Sequence, residues 1–432
     1  MRFLFAATAE AGHVNPALPL VRALADAGHA VRFTTGADFE AAVSAAGGRF
    51  APLPPGAYWD PVAADRRFPG RRELTGVRRL RFGLVHGFCE LGAAQARHLL
   101  ALHAAEPADA LVVDAGFVGA RFTTELGGPP VGYYGTSLLP YASRQVPPLG
   151  LALPPRSDLV GHARDRLLWT VLRAAVTGAT AAALDGQRRE LGLQPVHRTV
   201  LDWPVDAGLF LQLSPAGFDY PRTDLPAVVH FVGMPSPLPV PDWSPPPWWD
   251  ELPGRRVVVV TQGTVKTDPD QLIRPALAGL ADLDALVVAV TGGADPARLG
   301  PLPANARAGG YVPYAPLFQR ASAVVTNGGF GGVQLAISAG LPLVVAGATE
   351  EKPEVANRVA WSGVGVNLRT GSPSPQAVRL AVQQVLADPS YAARSRALAG
   401  SAPAAEAAER AAALLAVLAA TGRPVIRTLT RR

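Results

Sequence analysis

Cysteine and lysine are almost absent from this chain of 432 residues. Cys89 is the only cysteine, which excludes an intrachain disulfide and a metal site built from several cysteines. This cysteine usage is consistent with a reducing compartment. Lys266 and Lys352 are the only lysines, so arginine supplies nearly all of the positive charge behind the net charge of +6.

A basic surface of the kind that binds nucleic acid is also missing from the sequence. The arginines are scattered, and their tightest groups are residues 71–72, 78–81 and 431–432. None of these groups forms a basic stripe interleaved with aromatic residues. We therefore expect no nucleic-acid partner.

Long apolar runs are absent as well. The apolar run at residues 2–7 is too short for the core of a signal peptide. The most apolar late run, residues 411–420, covers about half of a membrane span of roughly 20 residues. We expect a cytoplasmic protein with no stable membrane insertion, either a monomer or a homodimer.

The apolar residues that are present, 49% of the chain, are arranged as alternating strands and helices. Short apolar runs predict buried parallel strands at residues 2–7, 29–35, 110–114 and 131–134. A helix is predicted between the first two, from Asn15 and Pro16 to Gly28, and another at residues 117–126. Residues 55–105 and 140–200 predict helical insertions. The pattern is typical of an α/β domain.

A proline-rich segment at residues 235–253 predicts a semi-rigid linker between two such domains. After it, strands are predicted at residues 256–261, 285–290, 323–326 and 343–346, with helices from Asp268 and at residues 333–339. An alanine-rich helix is predicted at residues 404–420. We divide the chain into domains at residues 1–234 and 254–405 and a helical tail at 406–432.

Two chemically capable side chains follow predicted strands of the first domain. His13 comes after the first strand, and Asp114 ends a later strand of the same sheet. Ligands of open α/β sheets bind at these carboxyl ends. A histidine there can accept a proton from a hydroxyl, and a carboxylate beside it would orient the ring. The simpler alternatives, that His13 only caps a helix and that Asp114 is a capping or surface acid, stay open on spacing alone.

A glycine-rich loop lies between a strand and a helix of the second domain, at residues 327–332. Glycines allow close backbone approach, and the N-terminus of a helix attracts an anion, so this loop is a candidate site for a diphosphate. The loop matches neither the P-loop nor the dinucleotide pattern. Glu351 and Lys352 follow the next strand, toward the same edge of the sheet, although an exposed acidic helix start would also explain them.

A metal site receives little support. Asp268 and Asp270 match an Asp-x-Asp pattern, but Asp268 followed by proline predicts a helix N-cap instead. The histidines other than His13 show no metal-ligand spacing. We expect no metal and no cofactor.

The order of these features resembles the UDP-glycosyltransferase superfamily with the GT-B fold, and within it the actinobacterial macrolide and aromatic-polyketide glycosyltransferases. The resemblance rests on Gly-His-Val-Asn-Pro at residues 12–16, the proline-rich linker, Thr-Gln-Gly-Thr at 261–264, Gly-Tyr-Val-Pro at 310–313 and Asn-Gly-Gly-Phe-Gly-Gly at 327–332. It implies two Rossmann-like parallel-sheet domains facing across a cleft, with the last helix crossing back to the first domain.

The resemblance also implies an inverting, metal-independent transfer of a sugar from a nucleotide diphosphate to a small apolar acceptor. His13 would be the base and Asp114 its acidic partner. Val312 would meet the nucleotide base. The donor-binding residues implied are Gly12, Thr264, Val312, Asn327, Gly328, Gly329, Gly331, Gly332, Glu351 and Lys352. We assign Trp59 and Phe82, in the variable segment at residues 58–89, to the acceptor wall; core packing is the alternative for each.

The donor motifs depart from the family pattern in four places. Asn327 replaces a histidine, and Leu335, beside Gln334, replaces a glutamate that binds ribose. Glu351-Lys352 replaces an Asp-Gln pair, and Val355 replaces an asparagine. Two alternatives therefore stay open: a non-catalytic nucleotide-sugar binder or partner-activating protein of the same fold, and a nucleotide-sugar epimerase.

Overall fold

The computed structural model describes residues 1–139, 141–143, 145–156, 158–172, 176–200, 207–240, 243–263 and 268–427. Within these ranges the chain folds into two parallel β-sheets with helices on their faces. The α/β architecture predicted from the alternating apolar runs is confirmed.

The first sheet has seven strands. They are β1 Arg2–Ala6, β2 Ala30–Thr35, β3 Arg49–Pro52, β4 Ala110–Asp114, β5 Val131–Gly135, β6 Leu209–Gln212 and β7 Val229–Phe231. Their order is β3-β2-β1-β4-β5-β6-β7, and each pair is parallel. The helices of this half are α1 Ala11–Val14, α2 Leu18–Asp26, α3 Glu40–Ala45, α4 Pro61–Arg67, α5 Gly76–Gly87, α6 Gly92–Ala105, α7 Ala120–Thr123, α8 Leu159–Leu172 and α9 Gly178–Glu190.

The second sheet has six strands. They are β8 Val257–Thr261, β9 Leu286–Val290, β10 Ala306–Gly309, β11 Ala323–Thr326, β12 Leu343–Val345 and β13 Gly365–Asn367. Their order is β10-β9-β8-β11-β12-β13, again all parallel. The helices of this half are α10 Ile273–Gly279, α11 Tyr314–Phe318, α12 Phe330–Ser338, α13 Lys352–Trp361, α14 Pro375–Ala387, α15 Pro389–Ser401 and α16 Ala404–Thr421.

Each sheet has one point at which the strand order reverses. In the first sheet β1 lies beside β4, and in the second β8 lies beside β11. The loops that leave the carboxyl ends of such neighbours diverge and open a crevice, which is where open α/β sheets bind ligands. His13 and Asp114 follow β1 and β4, and the glycine-rich loop follows β11. The topology therefore places both predicted sites at the reversal points.

The last helix, α16, packs on the first domain, as predicted. It contacts α2, β4 and β6. Side chains at Gly132 and Gly208 would collide with Leu415 and Leu418 of this helix, so the two glycines permit the close approach. Beyond the helix, the backbone N–H of Val425 donates to the carbonyl of Gly208 at 2.8 Å. Among the described residues, no helix combines the length and hydropathy that crossing a bilayer requires.

Two predicted helices are shorter in the structure. Residues 115–119 form turns after β4, so only Ala120–Thr123 is α-helical, followed by one 3₁₀ turn at Thr124–Leu126. The Asp268 side chain accepts the N–H of Asp270 at 3.1 Å inside a turn, and α10 begins later, at Ile273. The prediction that Asp268 caps this helix is therefore wrong.

The second half of the proline-rich segment packs on the second domain. Pro247–Glu251 forms a 3₁₀ helix, and the indole N–H of Trp248 donates to the carbonyl of Ala308 at 2.9 Å. Trp249 is buried, with the guanidinium of Arg320 4.9 Å from its ring centre. These contacts attach the end of the segment to the second sheet.

Candidate active site

His13 and Asp114 meet at the reversal point of the first sheet. His13 lies on α1, a single turn that follows the loop after β1, and Asp114 is the last residue of β4. Nδ1 of His13 is 2.8 Å from Oδ1 of Asp114. The carboxylate is fully buried, whereas 22% of the imidazole side chain is exposed. The ring is therefore held by a buried carboxylate while part of it stays accessible.

Backbone groups hold the Asp114 carboxylate in its charged form. The N–H of Thr8 donates to Oδ2 and the N–H of Gly116 donates to Oδ1, each at 2.6 Å. Burial acts to raise the pKa of Asp114, but the charge and hydrogen bond of His13, together with these two N–H groups, lower it overall. Because a carboxylate only accepts hydrogen bonds, Nδ1 of His13 carries the proton and Nε2 is left as an acceptor.

The imidazole is a stronger base than a free histidine. Burial acts to lower the pKa of His13, but the charge of Asp114 and its hydrogen bond raise it, as do the charges of Glu10 and Glu351. As a result, the pKa of His13 lies above the usual histidine value of 6.5. Glu351 belongs to the second domain, so its influence indicates that the donor-side loop lies within electrostatic range of the imidazole.

Sequence reasoning missed two residues that position this pair. The buried hydroxyl of Tyr134 donates to the carbonyl of His13 at 3.0 Å and fixes the turn that carries the ring. Gly116 leaves room for the pair, because a Cβ there would lie 2.8 Å from Oδ1 of Asp114 and 3.3 Å from Cε1 of His13. The only signal for Gly116 in the sequence was its place directly after a strand.

The predicted acceptor residues line a cavity of about 320 Å³ beside the His13–Asp114 pair. Trp59 and Phe82 form an edge-to-face pair in its wall, with ring centres 6.3 Å apart. Thr8, whose N–H binds Asp114, lines the same cavity. The full lining is Thr8, Glu10, Trp59, Arg71, Arg79, Phe82, Gly83, Gly87 and Phe88. His13 and Asp114 are not among these lining residues, and the cavity is linked to the pair through Thr8.

The cavity carries two arginines that the sequence analysis did not assign to it. Arg71 donates to Asp65 at 2.6 Å, and its guanidinium lies 5.6 Å from the ring centre of Trp59. Arg79 is exposed at the rim. Glu10 lines the cavity as well, so the wall is aromatic and carries charges of both signs, rather than being purely apolar.

The glycine-rich loop joins β11 to α12 as predicted, but α12 begins at Phe330, earlier than expected. Gly328 adopts a left-handed backbone with φ of 86°, and Gly329 is the N-cap residue of the helix. Nothing surrounds the Cβ position of Gly331, so the first turn of the helix is open to a ligand. The free N–H groups of this turn can bind an anion.

Asn327 and Lys352 make internal contacts at this loop. The amide of Asn327 donates to the carbonyl of Gln262 at 2.5 Å, which ties the loop after β11 to the loop after β8. The ammonium of Lys352 is mostly buried and pairs with Glu350. Glu350 itself has a left-handed backbone with φ of 60°.

The remaining predicted donor residues differ in their placement. Thr264 lies outside the described residues. Gly12 is exposed on α1. Val312 is buried in the core, with 3% of the residue exposed. A Cβ at Gly332 would lie 3.6 Å from the ring of Tyr314.

The residues of α12 and α13 at or beside the departures from the family pattern lie mostly in the protein interior. Gln334 and Val355 are fully buried, and Leu335 is partly buried in the core. The amide nitrogen and oxygen of Gln334 are buried and have no hydrogen-bond partner among the described residues.

Comparisons with known proteins show the family of this chain. The family of the erythromycin biosynthesis protein CIII-like C-terminal domain matches residues 274–416. The chain is 42% identical over 393 residues to a 4'-demethylrebeccamycin synthase of Lentzea aerocolonigenes, covering 90% of this chain and 93% of that protein. It is 33% identical over 393 residues to UDP-glucosyltransferase A1 of Starmerella bombicola, covering 88% and 84%.

Solved structures show the same fold. The calicheamicin glycosyltransferase matches with a TM-score of 0.73 and 26% identity, over 97% of this chain and 98% of that one. A spinosyn rhamnosyltransferase matches in fold, with a TM-score of 0.68 and 22% identity, over 97% and 100%.

The two parallel sheets and the similarity to known glycosyltransferases identify the chain as a GT-B glycosyltransferase. The chain belongs to the UDP-glycosyltransferase family, and it is similar to those members that glycosylate antibiotics and other natural products. Family membership favours sugar transfer over the epimerase and non-catalytic alternatives.

Proposed function

We propose that the protein transfers a hexose or deoxyhexose from UDP or TDP to a hydroxyl of a small aromatic or apolar natural product, with inversion at the anomeric carbon. The observation that carries this proposal is the His13–Asp114 pair, which lies beside an aromatic cavity of about 320 Å³. The acceptor's rings pack on Trp59 and Phe82, and its hydroxyl points to the imidazole.

In the proposed reaction, Nε2 of His13 takes the proton of the acceptor hydroxyl. The oxygen attacks the anomeric carbon and forms the new glycosidic bond from the face opposite the diphosphate. The bond from this carbon to the diphosphate oxygen breaks, and the diphosphate leaves with the electron pair. Asp114 stabilises the imidazolium that forms, as the acid of a catalytic triad does. The first turn of α12 stabilises the charge that develops on the diphosphate.

Nucleotide binding tests the donor class. UDP or TDP is expected to raise the melting temperature, because a ligand that binds only the folded state stabilises it, by about 2.7 kcal/mol at a hundredfold excess over Kd. The measurement is a thermal-shift titration with UDP, TDP and GDP. UMP and TMP serve as controls, and they are expected to act more weakly because they lack the second phosphate. A rise with GDP alone, or with none of the three, would contradict the proposed donor.

We also propose that the transfer needs no metal ion. The N–H groups and positive end of α12 supply the charge stabilisation that a divalent cation gives in other transferases. We therefore expect EDTA to leave the initial rate unchanged. The measurement is the rate before and after chelation, and again after adding Mg²⁺ in excess. A loss with EDTA that Mg²⁺ restores would contradict the proposal and bring Asp268 and Asp270 back into consideration.

A further inference from the structure

Helix α13 touches both the glycine-rich loop and the first domain. At its start, Lys352 packs against the loop: a side chain at Gly347 would collide with Cβ of Lys352 and with the carbonyl of Asn327. The carbonyl of Lys352 also lies 3.4 Å from the Cβ position of Gly328. Any adjustment of the loop around a diphosphate therefore acts directly on the start of this helix.

One turn further on, Glu354 binds a loop of the first domain. It is 3% exposed, and its Oε1 accepts the N–H of Gly150 at 2.8 Å and that of Ala152 at 2.7 Å. Asn357 donates to the carbonyl of Ala152. Ala152 has a left-handed backbone with φ of 50°, which is unfavourable for a residue with a Cβ and persists only when its surroundings impose it. The two α13 side chains supply that constraint.

The next turn of α13 anchors the helix to the first domain through buried charges. Arg358 is 2% exposed, and its Nε donates to Oδ1 of Asp219 at 2.8 Å. Its Nη1 lies 3.2 Å from the second oxygen of Glu354. Burial acts to lower the pKa of Arg358, but Asp219 raises it overall. Removing one partner of such a pair leaves an uncompensated buried charge, so the arrangement resists rearrangement.

The loop held by Glu354 lies near α5, a helix that forms part of the acceptor cavity. The side chain of Leu80 lies 3.9 Å from the Cβ position of Gly150. Leu80 belongs to α5, whose neighbouring residues Arg79 and Phe82 line the cavity. Packing and hydrogen bonds therefore link the glycine-rich loop through α13 to the loop at residues 150–152, and this loop lies close to α5 of the cavity wall.

We propose that Glu354 is a positioning residue that couples nucleotide binding in the second domain to the conformation of the acceptor cavity in the first. A nucleotide diphosphate on the glycine-rich loop fixes the start of α13. Glu354 then holds the loop at residues 150–152, and through it α5, in the arrangement that receives the acceptor. This inference rests on the proposed function, because it takes a nucleotide diphosphate as the ligand.

Amide hydrogen exchange of the full-length protein tests the coupling, with UDP and TDP as probes. Calorimetry first gives the Kd of each probe for every variant. In the wild type, the bound probe is expected to slow exchange in peptides covering residues 148–154 and 76–87 by about fivefold or more, the lower end of typical coupling between sites. In Glu354→Ala this slowing is expected to disappear, while the Kd stays close to the wild-type value.

A matched control separates coupling from general destabilisation. Glu125→Ala breaks another ion pair of a buried arginine, since Glu125 binds Arg188 at 2.6 Å within the first domain. This control is expected to keep the nucleotide-induced slowing. Glu354→Gln keeps an oxygen for the two N–H groups and is expected to retain most of the effect. If Glu354→Ala does not fold, Asn357→Ala removes the hydrogen bond to Ala152, together with the one that Asn357 accepts from Asn367, and is expected to weaken the slowing.

The possible results are distinguishable. If both probes bind and slow amide exchange in Glu354→Ala as much as in the wild type, the coupling is overturned and the proposed function stands. Loss of the effect in Glu125→Ala would also overturn it, because general destabilisation would then explain both variants. If neither probe binds the wild type, the donor assignment fails and the coupling fails with it.

Discussion

Replacing His13 with alanine is expected to lower kcat by about 10²–10⁴, the range that a positioned general base contributes. The acceptor hydroxyl then keeps its proton until water removes it. The neighbouring groups do not substitute, because Asp114 is fully buried beneath the ring and its oxygens already accept backbone N–H groups.

Nucleotide binding is expected to change little in the same variant. The diphosphate contacts that we propose belong to α12 in the second domain, whereas His13 lies on α1 in the first. The measurement is kcat for transfer together with the calorimetric Kd for UDP or TDP. His98→Ala is the control, because His98 lies outside the cavity lining, with Nε2 2.9 Å from the hydroxyl of Thr34. Turnover in His13→Ala close to that of His98→Ala would remove His13 from its role as base.

The central strands could be predicted from the sequence because they are buried on both faces. β1, β4, β8 and β9 are continuous apolar runs, and their predicted bounds agree with the structure to within one residue at each end. The sequence analysis missed the four sheet edges, β3, β7, β10 and β13, and also the internal strand β6, whose four residues are too few to stand out although all are buried. Edge strands are short and carry polar residues, as in Arg49–Pro52 and Gly365–Asn367. Such segments have neither the length nor the alternation that identifies a strand.

The residues of the candidate site also fall into a group that the sequence could predict and a group that it could not. His13, Asp114 and the glycine-rich loop could be predicted because each directly follows a strand, and the sheet topology alone brings strand ends together. Glu354 could not be predicted, because its partners at residues 150 and 152 are about 200 positions away in the chain. Nor could the pairing of Arg358 with Asp219, which depends on how the domains pack. Contacts that depend on tertiary packing leave no local pattern in the sequence.

The substitution Asp114→Asn removes the negative charge of this side chain but keeps its size and shape, so it tests what the charge contributes to catalysis. Oδ1 receives two N–H donors, from His13 and Gly116, whereas Oδ2 receives the N–H of Thr8. The asparagine oxygen is therefore expected at the Oδ1 position, where it keeps Nδ1 of His13 protonated and Nε2 free. The amide nitrogen then faces the N–H of Thr8, and this unsatisfied donor is expected to cost about 1–3 kcal/mol of stability.

The main expected effect of Asp114→Asn is on the pKa of His13. In the wild type the pKa lies above 6.5, so kcat/KM should fall as the pH drops through that higher value and the imidazole becomes protonated. Without the carboxylate, burial is the largest remaining influence and it lowers the pKa, so the acidic limb of the profile is expected to move to lower pH. The plateau rate should also fall, because the imidazolium loses the charge that stabilises it most and keeps only the smaller influence of Glu10 and Glu351. The fall should be smaller than the roughly 10⁴ that a wrong histidine tautomer costs in serine proteases.

Titration of the histidine ring protons by NMR, beside the pH profile of kcat/KM, measures this shift directly. His98 is the internal control, since its pKa is lowered by burial and by the nearby charge of Arg32 and should not respond to Asp114. A His13 pKa in Asp114→Asn that equals or exceeds the wild-type value would show that the carboxylate does not set the basicity of the imidazole. A loss as large as that of His13→Ala, without a shift of the acidic limb, would mean that Asp114 acts by fixing the tautomer or the position of the ring. A shift of the acidic limb of the pH profile to lower pH therefore indicates that Asp114 stabilises the charge of the imidazolium, whereas an unshifted limb indicates that it orients the base.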